Sequence, residues 1–231
     1  MNNNRWTAVP NMNEYKTPKT MYQNVQTSIG EIAQIVNIDN DRKKVLDDFS
    51  NLIVREILSQ TKCNLNFICT HNSRRSHLSQ IWAWVMSRHF NLNSVECFSG
   101  GTEATALFPL VQQVLVEKGI HSEVIGHKKA DNPIYYFKIS EGILPLIGFS
   151  KKYDDTYNPA QDYIAVMTCS HANENCPLVL GAKSRIALTY EDPKAFDHTP
   201  VQLAKYRERS HEIAVEMYVV FKQVSELIHS K

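Results

Sequence analysis

The sequence predicts an α/β fold: a four-stranded parallel sheet with helices on both faces, preceded by an N-terminal helical extension. Three observations lead there. Short apolar runs of strand length (Leu65–Ile68, Val95–Ser99, Tyr163–Thr168 and Arg185–Thr189) recur from residue 64 onward. Segments of helical periodicity separate them, and that alternation gives parallel strands with crossover helices on the faces. A turn signal, Gly100-Gly101, closes the second strand.

The elements read in order as follows. Residues 1–20 are polar and Asn-rich, an extended arm. Ile29, Ile32, Ala33, Ile35 and Val36 mark a first helix. Val45, Leu46, Phe49, Leu52, Ile53 and Ile57 mark a second, with Asp39 or Asn40 as its cap. Residues 1–60 are therefore expected to form an arm and two helices used for packing or for a homodimer contact, and residues 61–231 the α/β domain. After the first strand comes a helix over Ser76–Phe90, and after the second strand one over Pro109–Lys118. Residues 126–160 contain Asn132-Pro133, Pro145, Gly148 and Asn158-Pro159. They read as a long loop with one short helix, a candidate lid. A long final helix from Val201 to Ile228 carries Leu203, Tyr206, Ile213, Met217, Val220, Phe221 and Val224.

Composition bounds the function. A chain of 231 residues with 43% hydrophobic and 21% charged residues can build a sizeable core. A net charge of +1 gives no electrostatic ground for a nucleic-acid or anionic-membrane partner. No apolar run approaches membrane-spanning length, and the first residues lack the apolar centre of a signal peptide. The expected compartment is the cytoplasm. There the five cysteines, an odd number, point to catalytic, metal-binding or inert thiols rather than a disulfide framework.

Chemistry concentrates in the run Cys69-Thr70-His71-Asn72-Ser73-Arg74-Arg75-Ser76, between a strand and a helix. Backbone N–H groups of such a loop converge on an anion, and the helix N-terminus behind it adds positive potential. Arg75 can grip two anion oxygens, and Cys69 can attack as a thiolate. The short polar side chains Asn72, Ser73 and Ser76 can brace the loop, and Arg74 adds charge near its mouth. The candidate anion-binding set is thus Thr70 through Ser76. A second constellation is Cys169-Ser-His171-Ala-Asn-Glu-Asn-Cys176-Pro177. It admits a redox couple, zinc ligation by Cys169, His171 and Cys176, or plain small hydrophobes. A third is Asp192-Pro193 after the fourth strand, where an Asp carrying a proton can protonate a leaving oxygen. In open α/β sheets ligands bind beyond the carboxyl ends of the strands, and all three motifs fall there.

Together these residues resemble the low-molecular-weight phosphotyrosine phosphatase family, and more closely its thioredoxin-coupled arsenate reductase branch, over roughly residues 62–228. The resemblance implies a flavodoxin-like sheet, a Cys-x5-Arg-Ser anion loop (Cys69, Arg75, Ser76) and a general acid (Asp192). It also implies a thiol relay in the pattern Cys-x6-Cys-Pro (Cys169, Cys176, Pro177). In that scheme Cys69 attacks arsenate held by Arg75, and Asp192 assists departure of hydroxide. Cys169 then displaces arsenite from Cys69, and Cys176 completes a disulfide that thioredoxin, an external reductant, resets. No bound cofactor or metal is implied. Where some reductases place a potassium-binding glutamate this chain has Gln80, and it departs from the family at His71 and Arg74. The alternative is a phosphatase acting on phosphotyrosine or a small phosphoester through a phosphocysteine. A third option is a phosphate-binding module without turnover.

Overall fold

The computed structural model describes residues 20–59, 62–127, 130–175 and 178–230. Two helices, α1 (Gln23–Gln34) and α2 (Asn40–Ser59), precede the first strand, β1 (Cys63–Cys69). Then follow α3 (Arg75–His89), β2 (Val95–Gly101), α4 (Pro109–Val116), β3 (His121–Ile125), β4 (Ile134–Lys138) and β5 (Leu146–Gly148). The chain closes with β6 (Tyr163–Met167), α5 (Ser170–Asn175), β7 (Ala182–Ala187) and α6 (Gln202–His229).

The main sheet has the order β2-β1-β6-β7, and every pairing in it is parallel. This is the expected four-stranded architecture. All five residues of β6 are buried, as befits an inner strand covered on both faces. Alternate residues go to opposite faces. Leu65 and Phe67 of β1, with Ile164 and Val166 of β6, join the main core. Ile68, Tyr163, Ala165 and Met167 join a smaller cluster that Ala172 of α5 covers. On the main face α3 is buried from Ser76 through Ser87. Trp82 of α3 donates its indole N–H to Ser210 of α6 at 3.0 Å.

Residues 20–59 are built into the same core. Val25, Ile29 and Ile32 of α1 and Leu46, Phe49 and Ile53 of α2 are buried in it, and Phe49 meets Phe67 edge-on at 6.5 Å. Arg42 of α2 grips Glu216 of α6 through two hydrogen bonds of 2.6 and 2.8 Å. The observed helices match the expected ones within a few residues, except that α1 starts and ends earlier than the apolar pattern suggested.

Residues 126–160 require a correction. The expected loop with one short helix contains no described helix. It supplies β4 and β5, which pair with β3 in an antiparallel sheet of order β3-β4-β5. The pattern behind β4 has a period of two: Tyr135 and Phe137 point inward and are buried, while Ile134, Tyr136 and Lys138 face outward. Flanking proline and glycine residues masked this short alternation. Gly148 of β5 lies against the Phe137 ring, where a Cβ would stand 2.9 Å from it.

Candidate active site

The carboxyl ends of the parallel strands meet at one edge, and the loop Cys69–Ser76 spans it. Thr168, just past β6, donates its N–H and its hydroxyl to Ile68 O at 2.7 and 3.0 Å. That pins the segment leading to Cys169 beside Cys69. Tyr190 N donates to Thr168 O at 3.2 Å, which brings the segment after β7 to the same edge.

The loop turns its carbonyls outward. Cys69 O accepts from Thr102 N at 3.1 Å, Thr70 O from Glu103 N at 2.8 Å, and Ser73 O from Phe108 N at 3.0 Å. His71 O accepts from the hydroxyls of Thr105 and Ser150 at 3.0 and 3.1 Å. In a planar trans peptide the N–H points opposite to the C=O. The amides that follow these carbonyls therefore face the inner side of the loop, a concave nest suited to an anion. Gly101 makes this packing possible. A Cβ there would lie 2.3 Å from Glu103 O and 2.7 Å from both Asn72 N and Thr70 O.

Asn72 is the internal brace. It is fully buried and takes a left-handed conformation with φ of 44°, which asparagine tolerates better than most residues. Its Oδ1 accepts from Lys151 N at 2.9 Å, and its Nδ2 donates to Ser76 Oγ at 2.9 Å. Because Ser76 Oγ already receives that bond, its own hydrogen is free to point at Cys69 Sγ, 3.1 Å away. Behind Ser76, burial holds the His77 imidazole neutral by lowering its pKa to about 3, with Lys151 nearby adding to the effect. Lys151 is itself 2% exposed. Its ammonium donates to Phe149 O at 3.3 Å and lies 4.5 Å from the Phe149 ring centre. Burial lowers its pKa to about 8, with Asp155 opposing.

Arg75 opens α3. Its Nη1 donates to Tyr190 O at 3.0 Å and its Nη2 to Asp192 Oδ2 at 2.6 Å. The other Asp192 oxygen accepts from Lys194 N at 3.0 Å and caps a 3₁₀ turn over Pro193–Phe196. The structure thus brings Cys69, Arg75, Ser76 and Asp192 to one place.

Arg74 departs from the expectation of charge at the mouth. Its guanidinium stacks 4.1 Å over the Phe108 ring. It donates to Tyr206 OH at 2.5 Å and to Asp197 Oδ2 at 2.7 Å, so its charge is matched by a carboxylate away from the nest. Tyr206, raised in pKa mainly by burial, stays protonated and donates to Asp197 Oδ1 at 2.8 Å. The His71 side chain lies 3.8 Å from Glu103, and both are well exposed.

Cys169 is 1% exposed and packs in the same small cluster as Cys69. Its sulfur accepts from Ala172 N at 3.3 Å and lies 3.6 Å from Thr70 Oγ1. Thr70 Oγ1 in turn lies 3.4 Å from His171 Nδ1. No sequence signal points to this Thr70 contact, and the sequence pattern places His171 only among possible zinc ligands. Among the described residues no group of three or more His, Cys, Asp or Glu is placed to hold a metal. Cys176 and Pro177 lie outside the described residues, so the pairing of Cys169 with Cys176 does too. Cys63 and Cys97 sit in the main core, where burial pushes the Cys63 thiol up to about 12 and raises that of Cys97 as well. They serve as small apolar side chains. Gln80, buried in α3, donates to Cys97 O at 3.0 Å. No described helix is long and apolar enough to cross a membrane.

No protein-family model and no curated protein matches the chain. Similar solved structures include a low-molecular-weight phosphotyrosine phosphatase from Vibrio cholerae O395, at 13% identity and a TM-score of 0.46. That match covers 73% of this chain and 95% of the other. A low-molecular-weight protein tyrosine phosphatase from T. tengcongensis has 16% identity and a TM-score of 0.45, covering 74% and 100%. An arsenate reductase from Archaeoglobus fulgidus has 18% identity and a TM-score of 0.43, covering 68% and 98%. At these identities and TM-scores the likeness bears on neither substrate nor mechanism. Among solved structures, then, the chain is similar to low-molecular-weight phosphatases and to arsenate reductases alike.

Proposed function

We propose that the protein reduces arsenate to arsenite, with Cys69 as nucleophile and Cys169 as the second thiol of a relay that Cys176 completes and thioredoxin resets. The observation that carries this reading is the position of Cys169, buried against the wall of the anion loop and 3.6 Å from Thr70 Oγ1. Phosphoester hydrolysis through a phosphocysteine requires no second thiol, whereas reduction of arsenate requires one to take up the oxidising equivalents. In the reaction, the loop amides and Arg75 hold the oxyanion, and Ser76 steadies the Cys69 thiolate. The Cys69 sulfur bonds arsenic, and an oxygen leaves as water with a proton from Asp192, whose carboxyl stands 2.6 Å from Arg75. Cys169 sulfur then attacks Cys69 sulfur. The S–As electron pair stays on arsenic, which leaves as arsenite, and the two thiols become a disulfide.

One observation favours a second reading, the phosphatase. A cleft of about 590 Å³ adjoins the site, lined by Ser170, Tyr190, Glu191 and Arg209 and, from the N-terminal region, Ile38 and Arg42. A cleft of that size suits the organic part of a phosphoester, which inorganic arsenate lacks. The deciding experiment is a paired assay on purified protein. NADPH loss is followed with arsenate, thioredoxin and thioredoxin reductase, and p-nitrophenyl phosphate hydrolysis is followed separately. Cys69→Ser abolishes both activities, and Cys176→Ser stops only arsenate turnover. Equal arsenate turnover in Cys176→Ser and the parent rejects the relay.

A further inference from the structure

We propose that Thr70 and His171 form a proton relay that deprotonates Cys169 as its sulfur attacks Cys69. The inference rests on the arsenate reduction proposed above and names two of the groups that serve its second step.

Cys169 is 1% exposed, so its thiol proton has little direct contact with water. Attack on Cys69 requires the thiolate, and the proton must leave through a neighbour. Among the described residues, two polar groups contact the sulfur. One is Ala172 N–H at 3.3 Å, which only donates: it steadies a thiolate but takes up no proton. The other is the Thr70 hydroxyl at 3.6 Å, which both accepts and donates. On the far side of that hydroxyl stands His171 Nδ1, at 3.4 Å. His171 is exposed, so a proton that reaches it passes on to solvent. A histidine is suited to this step because one ring nitrogen of the neutral imidazole accepts a proton while the other carries one.

The step balances. The Cys169 proton moves to Thr70 Oγ1 while the Thr70 proton moves to His171 Nδ1, leaving threonine unchanged and His171 as imidazolium. The Cys169 thiolate forms a bond to Cys69 sulfur as the Cys69–arsenic bond breaks. Two thiol sulfurs give up two electrons, arsenic takes both as arsenic(V) becomes arsenic(III), and the imidazolium proton goes to water or to the departing arsenite. Thr70 thus has a second part beyond lining the anion nest. His171 acts through it as the terminal proton acceptor, two residues along the chain from the sulfur it serves.

Single-turnover arsenite release from fully reduced protein tests this. His171→Ala is expected to slow release by about tenfold or more, within the usual range for lost general-base assistance, while KM for arsenate holds. Added imidazole restores much of the rate. Thr70→Val, which keeps the shape and loses the hydroxyl, is as slow, and Thr70→Ser, which keeps the hydroxyl, runs near the parent rate. Release from His171→Ala at the parent rate overturns the relay. So does failure of imidazole to rescue it, or Thr70→Ser running as slowly as Thr70→Val. A parent protein that releases no arsenite overturns the reductase reading, and the relay with it. A parent that reduces arsenate with His171→Ala unaffected overturns the relay alone.

Discussion

Ser76 shows how a single hydroxyl ties the brace of the loop to its nucleophile, since Asn72 donates to it and Cys69 lies 3.1 Å away. A hydrogen bond to a charged group contributes about 1.5–3 kcal/mol, so Ser76→Ala is expected to lower kcat about 10- to 100-fold in either assay, read by steady-state kinetics. Arg74 gives the opposite expectation. Its guanidinium is committed to Asp197, Tyr206 and Phe108, with side-chain exposures of 11% and 12% for the ion pair. Arg74→Ala should therefore lose about 2–4 kcal/mol of stability in urea melts and leave phosphate inhibition nearly as it was. A large loss of phosphate affinity at constant stability would return Arg74 to the mouth of the site. Lys151 adds a pH dependence. Its folded pKa of about 8 lies below the ordinary 10.5, so between those values the unfolded chain holds a proton that the folded chain lacks. The stability contributed by this group consequently rises with pH across that window, and burial of the charge is costly below it. Lys151→Met is expected to exceed the parent by up to about 3 kcal/mol at pH 7, with the gap closing toward pH 10.5 in denaturant melts. Cys69, Arg75 and Asp192 were legible because their spacing and their places after strands carry the signal. The destination of Arg74 was not, because its partners Asp197 and Tyr206 come 123 and 132 residues later.

Strands and helices of sufficient length were legible for a different reason. β1, β2 and β6 are short, mostly apolar runs bounded by breaks, and α6 shows its periodicity over 28 residues. By contrast, β7 (Ala182–Ala187) starts three residues before the expected run Arg185–Thr189, because its first half is polar and part-exposed. The sheet β3-β4-β5 was missed because its strands are five, five and three residues long, with Pro133 and Pro145 standing just before β4 and β5. Too few positions are present to establish a period. The turn at Gly100-Gly101 was anticipated, but its purpose emerges only from the fold: Gly101 is where β2 approaches the anion loop. A Cβ at Gly101 must displace backbone atoms of Glu103, Asn72 and Thr70. Gly101→Ala is expected to lower kcat at least about tenfold and to cost about 1–3 kcal/mol, since overpacking forces such shifts. The outcome that contradicts this is a variant with parental kinetics and an unchanged melting curve. Gly30, where an added Cβ meets nothing within 4 Å, is the matched control.

For the whole molecule, the N-terminal helices and the sheet share one core. Phe49 of α2 is fully buried against Phe67 of β1, so Phe49→Ala is expected to cost about 3–5 kcal/mol in a single cooperative transition. A separate early transition would instead mark residues 20–59 as an independent unit. The sequence showed which faces of these helices are apolar but not what covers them, because the covering residues lie on α6 near the far end of the chain. A homodimer contact would have to use other faces of α1 and α2. Their role in the account is to hold α6, and through Arg42 and Glu216 to support the Tyr190 side chain, whose OH donates to Glu216 at 2.7 Å. The Tyr190 carbonyl in turn positions Arg75. The central claim is that Cys69 and Cys169 act in succession on one oxyanion. The most direct measurement is a thiol and arsenite count after one turnover of the reduced protein with arsenate and no external reductant. One arsenite released and two thiols lost per chain are expected, with none released by Cys169→Ser. Equal arsenite from Cys169→Ser and the parent, or none from the parent, would contradict it.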